Sequence, residues 1–130
     1  MHSAAMSSTI SVRPARLPRL RAQVEATTLA KLVYDATAHF PATERASIGD
    51  QMRRAALSVP SNIAEGCART TRADRARLLT IAWGSLRELE AQIDVVAAVS
   101  LVPPASADEL VKHCRWTGRL LHALLHSPMR

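Results

Sequence analysis

Aromatic side chains are almost missing from this 130-residue chain: one Phe, one Tyr and two Trp make up 3% of it, and glycine occurs only four times. Strands lean on aromatic and β-branched residues, so a sheet protein is disfavoured and an all-helical one is favoured. Cysteine is limited to Cys67 and Cys114, far apart and outside any metal-ligand spacing. Free thiols in a reducing compartment fit that pair better than a disulfide does. No apolar run reaches the roughly 18–20 residues that span a bilayer, and the best candidate, Val95 to Val102, is too short. Ser and Arg interrupt the N-terminus throughout, so a secretory core is missing there. A soluble cytoplasmic protein is the expectation.

Catalytic signatures are lacking as well. The chain has no GxSxG, no Walker-type loop and no Cys/His pair with an orienting partner. His122 and His126 have the i, i+4 spacing that can present two imidazoles to one ion. No glutamate follows His122 in the HExxH manner, and Pro128 frays that helix end. Nothing gathers Glu88, Glu90 and Asp94 into an apolar pocket. The expectation is a non-enzymatic protein with no metal and no cofactor.

Positive charge is what the chain does have: a formal +6 at neutral pH and a pI near 10.6. Arg45, Arg53, Arg54, Arg69, Arg72, Arg75 and Arg77 face only Asp50, Glu65 and Asp74 over the same stretch, and the balance turns acidic from Glu88 to Glu109. Arginine matches phosphate through its planar fork, so Arg53, Arg54, Arg69, Arg72, Arg75 and Arg77 are the candidate nucleic-acid contacts. The plainer alternative is that they pair with Glu65 and Asp74 or keep the surface solvated. Aromatic interleaving, the mark of base stacking, is absent. Binding to RNA or DNA would then run through the backbone, with strong salt dependence and weak sequence preference.

In chain order, residues 1–19 read as a flexible basic tail with Arg13, Arg16 and Arg19 and two prolines. A solvated arm, an arm gripping phosphate and a transit peptide all fit that composition. Residues 20–127 read as one bundle domain. The first helix is expected from about Leu20 to His39, with Leu29, Val33, Ala36 and Phe40 buried and Val24 and Leu32 beside them. Pro41 ends it, and a connection over residues 42–49 leads to a second helix that Thr43, Ser47 or Asp50 could cap. That helix carries Met52, Ala55, Ala56, Val59 and Ile63 on one face and Pro60 in its interior. Ser58, Ser61 and Asn62 are near enough to satisfy the carbonyl that the proline frees, and Gly66 offers a stop. Thr71 and Asp74 approximate a capping box for a long third helix, where Leu78, Ala82, Ser85, Leu89, Gln92 and Val96 recur at steps of three and four. Gly84 and Ser85 in its middle suggest close helix approach. Pro103 and Pro104 break the chain, Ser106 and Glu109 form a capping box, and Leu110, Cys114, Thr117, Leu121 and Leu124 mark the fourth helix. Four helices of about 20 residues with short connections give an all-α, antiparallel up-down-up-down bundle.

Two blocks, Gln51 to Gly66 and Gly84 to Ile93, resemble the signatures of a bacterial family. This is the family of 23S ribosomal RNA intervening-sequence proteins, which also holds the accessory variability determinants of diversity-generating retroelements. The likeness runs from the first helix through Phe40 and Pro41 to about Leu125. It implies a four-helix bundle that assembles into a barrel-like homopentamer with a basic surface. For retroelement members it implies binding to nucleic acid and to a partner reverse transcriptase. By position, Arg53 and Arg54 match the basic pair, and Asn62, Glu65 and Gly66 the end of the second helix. Gly84, Ser85, Glu88, Glu90 and Gln92 match the third-helix block. Cys67 stands where the family often has an aromatic, and Arg75 where an aromatic often follows an acid. Both departures make the corner between the second and third helices more polar. The leading expectation is thus an oligomeric nucleic-acid-binding bundle. The alternative is a structural or scaffolding oligomer whose basic surface serves an acidic protein.

Overall fold

Apolar side chains at three- and four-residue spacing build four long helices: α1 (Leu17–Thr37), α2 (Asp50–Cys67), α3 (Arg72–Ala98) and α4 (Pro104–Leu125). The computed structural model describes residues 17–129, so the expected arm lies outside the described residues except for its last three positions, which already belong to α1. Helices α1 and α3 each pack on both α2 and α4, and the short connections make successive helices antiparallel. The up-down-up-down bundle is therefore the observed fold.

The registers read from the sequence are the buried ones. Leu29, Val33 and Phe40 close the core from α1 and the turn after it, and Met52, Ala56, Val59 and Ile63 from α2. Leu89, Ile93 and Val96 from α3 and Leu110, Cys114, Leu121 and Leu124 from α4 complete the core. Val24 departs from the expectation at 64% exposure, and its place in α1 is taken by Ala22 and Ala26, which are fully buried.

The helix ends depart further. The expected connection over residues 42–49 is helical, as a short turn (Ala42–Glu44) and a π-helical segment (Arg45–Gly49) running straight into α2. Pro41 starts this run with its fixed φ of −54°, and no side chain caps it. Thr43, Ser47 and Asp50 are spent otherwise: Ser47 Oγ donates to the Thr43 carbonyl at 3.0 Å, and Asp50 accepts from Arg54 Nε at 2.8 Å. Gly66 does not stop α2 either. The helix continues through Cys67 to an Ala68 cap in the right-handed region, and Gly66 lies buried within it. A Cβ there would sit 3.2 Å from Leu79 Cδ2 and 3.3 Å from Leu78 Cβ, so this glycine sets the approach of α2 to α3. Gly84 is the reverse case: it is exposed, and nothing lies within 4 Å of the position of its Cβ. The close contact expected at Gly84 belongs to Gly66.

Thr71 caps α3 as expected, accepting from the Asp74 amide at 3.2 Å. The cap of α4 does not fall on Ser106. Pro103 and Pro104 start the helix instead of merely breaking the chain, because a proline in the first turn has no amide to leave unpaired.

Pro60 is buried inside α2. Its carbonyl accepts from Gln23 Nε2 of α1 at 3.0 Å. Asn62 Nδ2 donates to the carbonyl and the hydroxyl of Ser58 at 2.9 and 3.0 Å, rather than to the freed Ala56 carbonyl. Ser85 Oγ of α3 also donates to Ser58 Oγ, at 2.7 Å. Polar groups around the proline thus tie α2 to both of its neighbours.

Candidate nucleic-acid interface

The six candidate arginines do not form one surface. Arg53 and Arg54 sit in the first turns of α2, whereas Arg69, Arg72, Arg75 and Arg77 lie at the α2–α3 corner, roughly 20 Å away along a helix that rises 1.5 Å per residue.

Arg53 has a structural task. Its Nη1 donates to Thr37 Oγ1 at 3.1 Å and its Nη2 to the Arg45 carbonyl at 3.0 Å, which clasps the end of α1 to the π-helical turn. Gly49 leaves room for this guanidinium, since a Cβ there would come within 3.2 Å of Nη1. Arg54 is exposed and paired with Asp50. Such a pair is worth at most about 1 kcal/mol, so Arg54 can exchange it for a phosphate at little cost.

At the corner, Arg75 is not the free phosphate contact that its sequence position suggested. It is 6% exposed, and its Nη2 donates to the Leu124 carbonyl at 2.7 Å and to Ser127 Oγ at 2.8 Å. The guanidinium adds a charged donor to one carbonyl in the last turn of α4, where cations are favoured. Arg69 and Arg77 are exposed and only loosely held, by Glu65 at 3.8 Å and Asp74 at 4.0 Å. Arg72 is exposed, with no carboxylate within 4.0 Å among the described residues.

The corner also holds an open cavity of about 430 Å³ between Arg19, Cys67, Arg69, Arg75 and the segment Pro128–Met129. Arginines from α1, from the α2–α3 turn and from α3 line it, and among the described residues no Asp or Glu does. Cys67 and Arg75 both fall on this wall. Burial pushes the Cys67 thiol up, and the charges of Arg75 and Arg19 pull in the opposite direction.

The structural-motif residues are placed for packing. Pro60 and Gly66 are buried, Asn62 and Ser85 belong to the Ser58 cluster, and exposed Glu65 approaches Arg69. Cys114 is buried and Cys67 half-buried, and both are free. His122 and His126 lie ring against ring at 4.4 Å, with His126 Nδ1 2.9 Å from the His122 carbonyl. Among the described residues, no group of three or more His, Cys, Asp or Glu could hold a metal ion. No described helix is long and apolar enough to cross a membrane.

Trp116 escaped the sequence reading. Its ring on α4 has the guanidinium of Arg21 at 5.7 Å and that of Arg119 at 5.3 Å from its centroid. Arg119 lies three residues on, a local signal that was there to be read. Arg21 comes from α1 and could be found only in the fold.

Comparison with known proteins agrees with this architecture. A crystal structure of a protein with unknown function from the S23 ribosomal protein family of Bacteroides thetaiotaomicron superposes with a TM-score of 0.78. The two share 16% identity over 85% of this chain and 100% of the other, which speaks for the fold alone. None of the curated proteins matches. The profile of the 23S rRNA-intervening sequence proteins matches residues 19–123, all four helices included. The chain belongs to the 23S rRNA-intervening sequence protein family.

Proposed function

We propose that this protein is a homo-oligomeric bundle that binds the phosphate backbone of nucleic acid through its α2–α3 corner. The observation that carries this is the corner cavity, where Arg19, Arg69 and Arg75 converge with no Asp or Glu among the described lining residues. Arg75 is pinned and gives a fixed charge, while Arg19, Arg69 and the neighbouring Arg72 supply adjustable forks. Binding of this kind follows charge rather than base sequence, so it weakens steeply with salt.

Fluorescence polarisation with an RNA hairpin across a salt series tests it. Arg69→Gln with Arg72→Gln should weaken binding and flatten the salt slope by about 1.5 to 2, one phosphate per arginine removed. Unchanged affinity and slope would overturn the corner reading. Preference for an acidic protein over RNA would favour the scaffolding alternative.

Assembly belongs to the same reading. Ile81 and Val95 on α3 are 43% and 53% exposed, and Gly84 and Ala91 fall between them at steps of three, seven and four. Leu57 on neighbouring α2 is 50% exposed. A second copy of the chain is the occupant proposed for this small-residue face, with the five-fold barrel as the expected product. Light scattering decides it, because a strict 14.1 kDa monomer would exclude assembly. The reverse transcriptase partner implied by the resemblance is tested by co-purification of the two chains.

A further inference from the structure

The groove between α3 and α4 holds Trp83 and a second set of cations, and the adjoining α1–α4 groove holds Trp116. Trp116 is 37% exposed and flanked by the guanidiniums of Arg21 and Arg119. Beside it, a cleft of about 590 Å³ opens between the two helices, walled by Trp83, Arg87, Glu90, Arg115 and Arg119, with Gly118 on its α4 side. Among the described residues, no carboxylate lies within 4.0 Å of Arg21, Arg115 or Arg119. Residues 1–16 contain no Asp or Glu to neutralise them.

Each part has a physical consequence. Guanidiniums held against an indole are already ordered, so they lose less entropy when they grip a phosphate than free arginines would. Gly118 keeps the cleft open beside Trp83: a Cβ there would meet the ring edge at 3.8 and 3.9 Å, and a longer side chain would fill the space. Glu90, held by Arg87 at 3.4 Å, places an acceptor on the wall. A carboxylate repels phosphate and accepts from the amino and imino groups on a base edge. The cleft is thus suited to a base and its rim to phosphates. Further along the groove Asp94 and Asp108 share a wall with Lys112, Arg115 and Arg119, and the cationic track ends at these two carboxylates.

We infer that the α3–α4 groove binds single-stranded nucleic acid, with a base entering the cleft against Trp83 and flanking phosphates on Arg115 and Arg119 and, across Trp116, on Arg21 of α1. This rests on the reading that the chain binds nucleic acid, and it adds a strand-selective surface separate from the corner. A base inside a duplex is stacked and cannot enter the cleft, so single strands are preferred.

The test uses the full chain as Trp116→Phe, which leaves Trp83 as its one tryptophan, and a short unstructured RNA against the same sequence in a duplex. Trp83 emission should be quenched by the single strand and unchanged by the duplex. Arg115→Gln with Arg119→Gln should weaken single-strand binding at least tenfold and lower its salt slope by about 1.4. The same pair should leave hairpin binding at the corner within twofold. No quenching, together with wild-type single-strand affinity in the double variant, overturns this inference and leaves the corner reading intact. Loss of single-strand binding in that variant, with Arg69→Gln/Arg72→Gln inert, overturns the corner reading instead. Failure of the wild-type chain to bind any nucleic acid overturns both.

Discussion

Arg75 of α3 donates to the carbonyl of Leu124, 49 residues away at the end of α4, at 2.7 Å, and to the Ser127 hydroxyl at 2.8 Å. The contact ties α3 to the end of α4, at a carbonyl that also accepts from the Ser127 amide at 3.1 Å. Hydrogen bonds from a charged group are worth roughly 1.5–3 kcal/mol each, and truncation removes two of them at a buried site, although the Ser127 amide and hydroxyl still serve the Leu124 carbonyl. Arg75→Ala is expected to lower unfolding free energy by about 2–4 kcal/mol in a urea titration. Arg72→Ala, at an exposed position three residues earlier, should change it by less than about 0.5 kcal/mol. Equal effects would remove the distinction between the structural and the binding arginine.

The two glycines that match the family blocks should respond in opposite directions. Gly84 lies exposed in the middle of α3 with open space around its Cβ position. Gly84→Ala recovers helix propensity and is expected to stabilise the monomer fold by about 0.5–1 kcal/mol. Gly66→Ala gains the same propensity but drives a methyl against Leu78 Cβ at 3.3 Å, an atom fixed to its own backbone. Overpacking of this kind costs about 1–3 kcal/mol, so a net loss is expected. Thermal melts of both variants check the contrast.

These residues show what the sequence could and could not reveal. Spacing alone identified the buried positions of α3, such as Leu78, Ala82, Leu89 and Val96, because a helix repeats its face whatever it packs on. Spacing could not tell an interior glycine from a terminal one. The difference lies in Leu79, which reaches Gly66 only after the α2–α3 turn. Arg75 looked like its neighbours Arg72 and Arg77 because its partner arrives from the far end of the chain. Pro104 read as a breaker because one residue type both ends helices and starts them. The corner cavity needs α1, α3 and the end of α4 together, and the Trp116 cluster needs α1 and α4. Local periodicity reports neither.

Ser100 offers a third test. It is the one described non-glycine residue with positive φ, at 63°, and it ends α3 in a paired pattern. The Leu101 amide donates to the Val96 carbonyl at 2.8 Å and the Ser100 amide to Ala97 at 3.1 Å, the arrangement that usually places glycine at this site. A left-handed conformation costs an L-residue roughly 1–2 kcal/mol, part of which glycine returns as greater freedom when unfolded. Ser100→Gly is expected to stabilise the protein by about 0.5–1 kcal/mol, seen as a higher melting temperature, and Ser100→Val to lower it.

The last test concerns Cys114, fully buried on α4. Burial, and then the charge of Glu90, push its thiol from an ordinary 9.0 up to about 12. Below pH 9 both folded and unfolded chains keep this proton, and the thiol gives stability no pH dependence. Between pH 9 and 12 the unfolded chain releases the proton first, so the unfolded state gains and stability falls as pH rises, by up to about 1.4 kcal/mol per pH unit. Cys114→Ala should therefore be less stable than the wild type at pH 8, from the cavity it leaves, yet lose stability less steeply above pH 9. Urea titrations of both proteins from pH 8 to 11 measure the difference. Parallel curves would show that the thiol ionises as readily in the folded protein as in the unfolded chain. Thiol labelling gives an independent reading: half-buried Cys67 should react with a maleimide in the folded protein, and Cys114 only at the rate of unfolding.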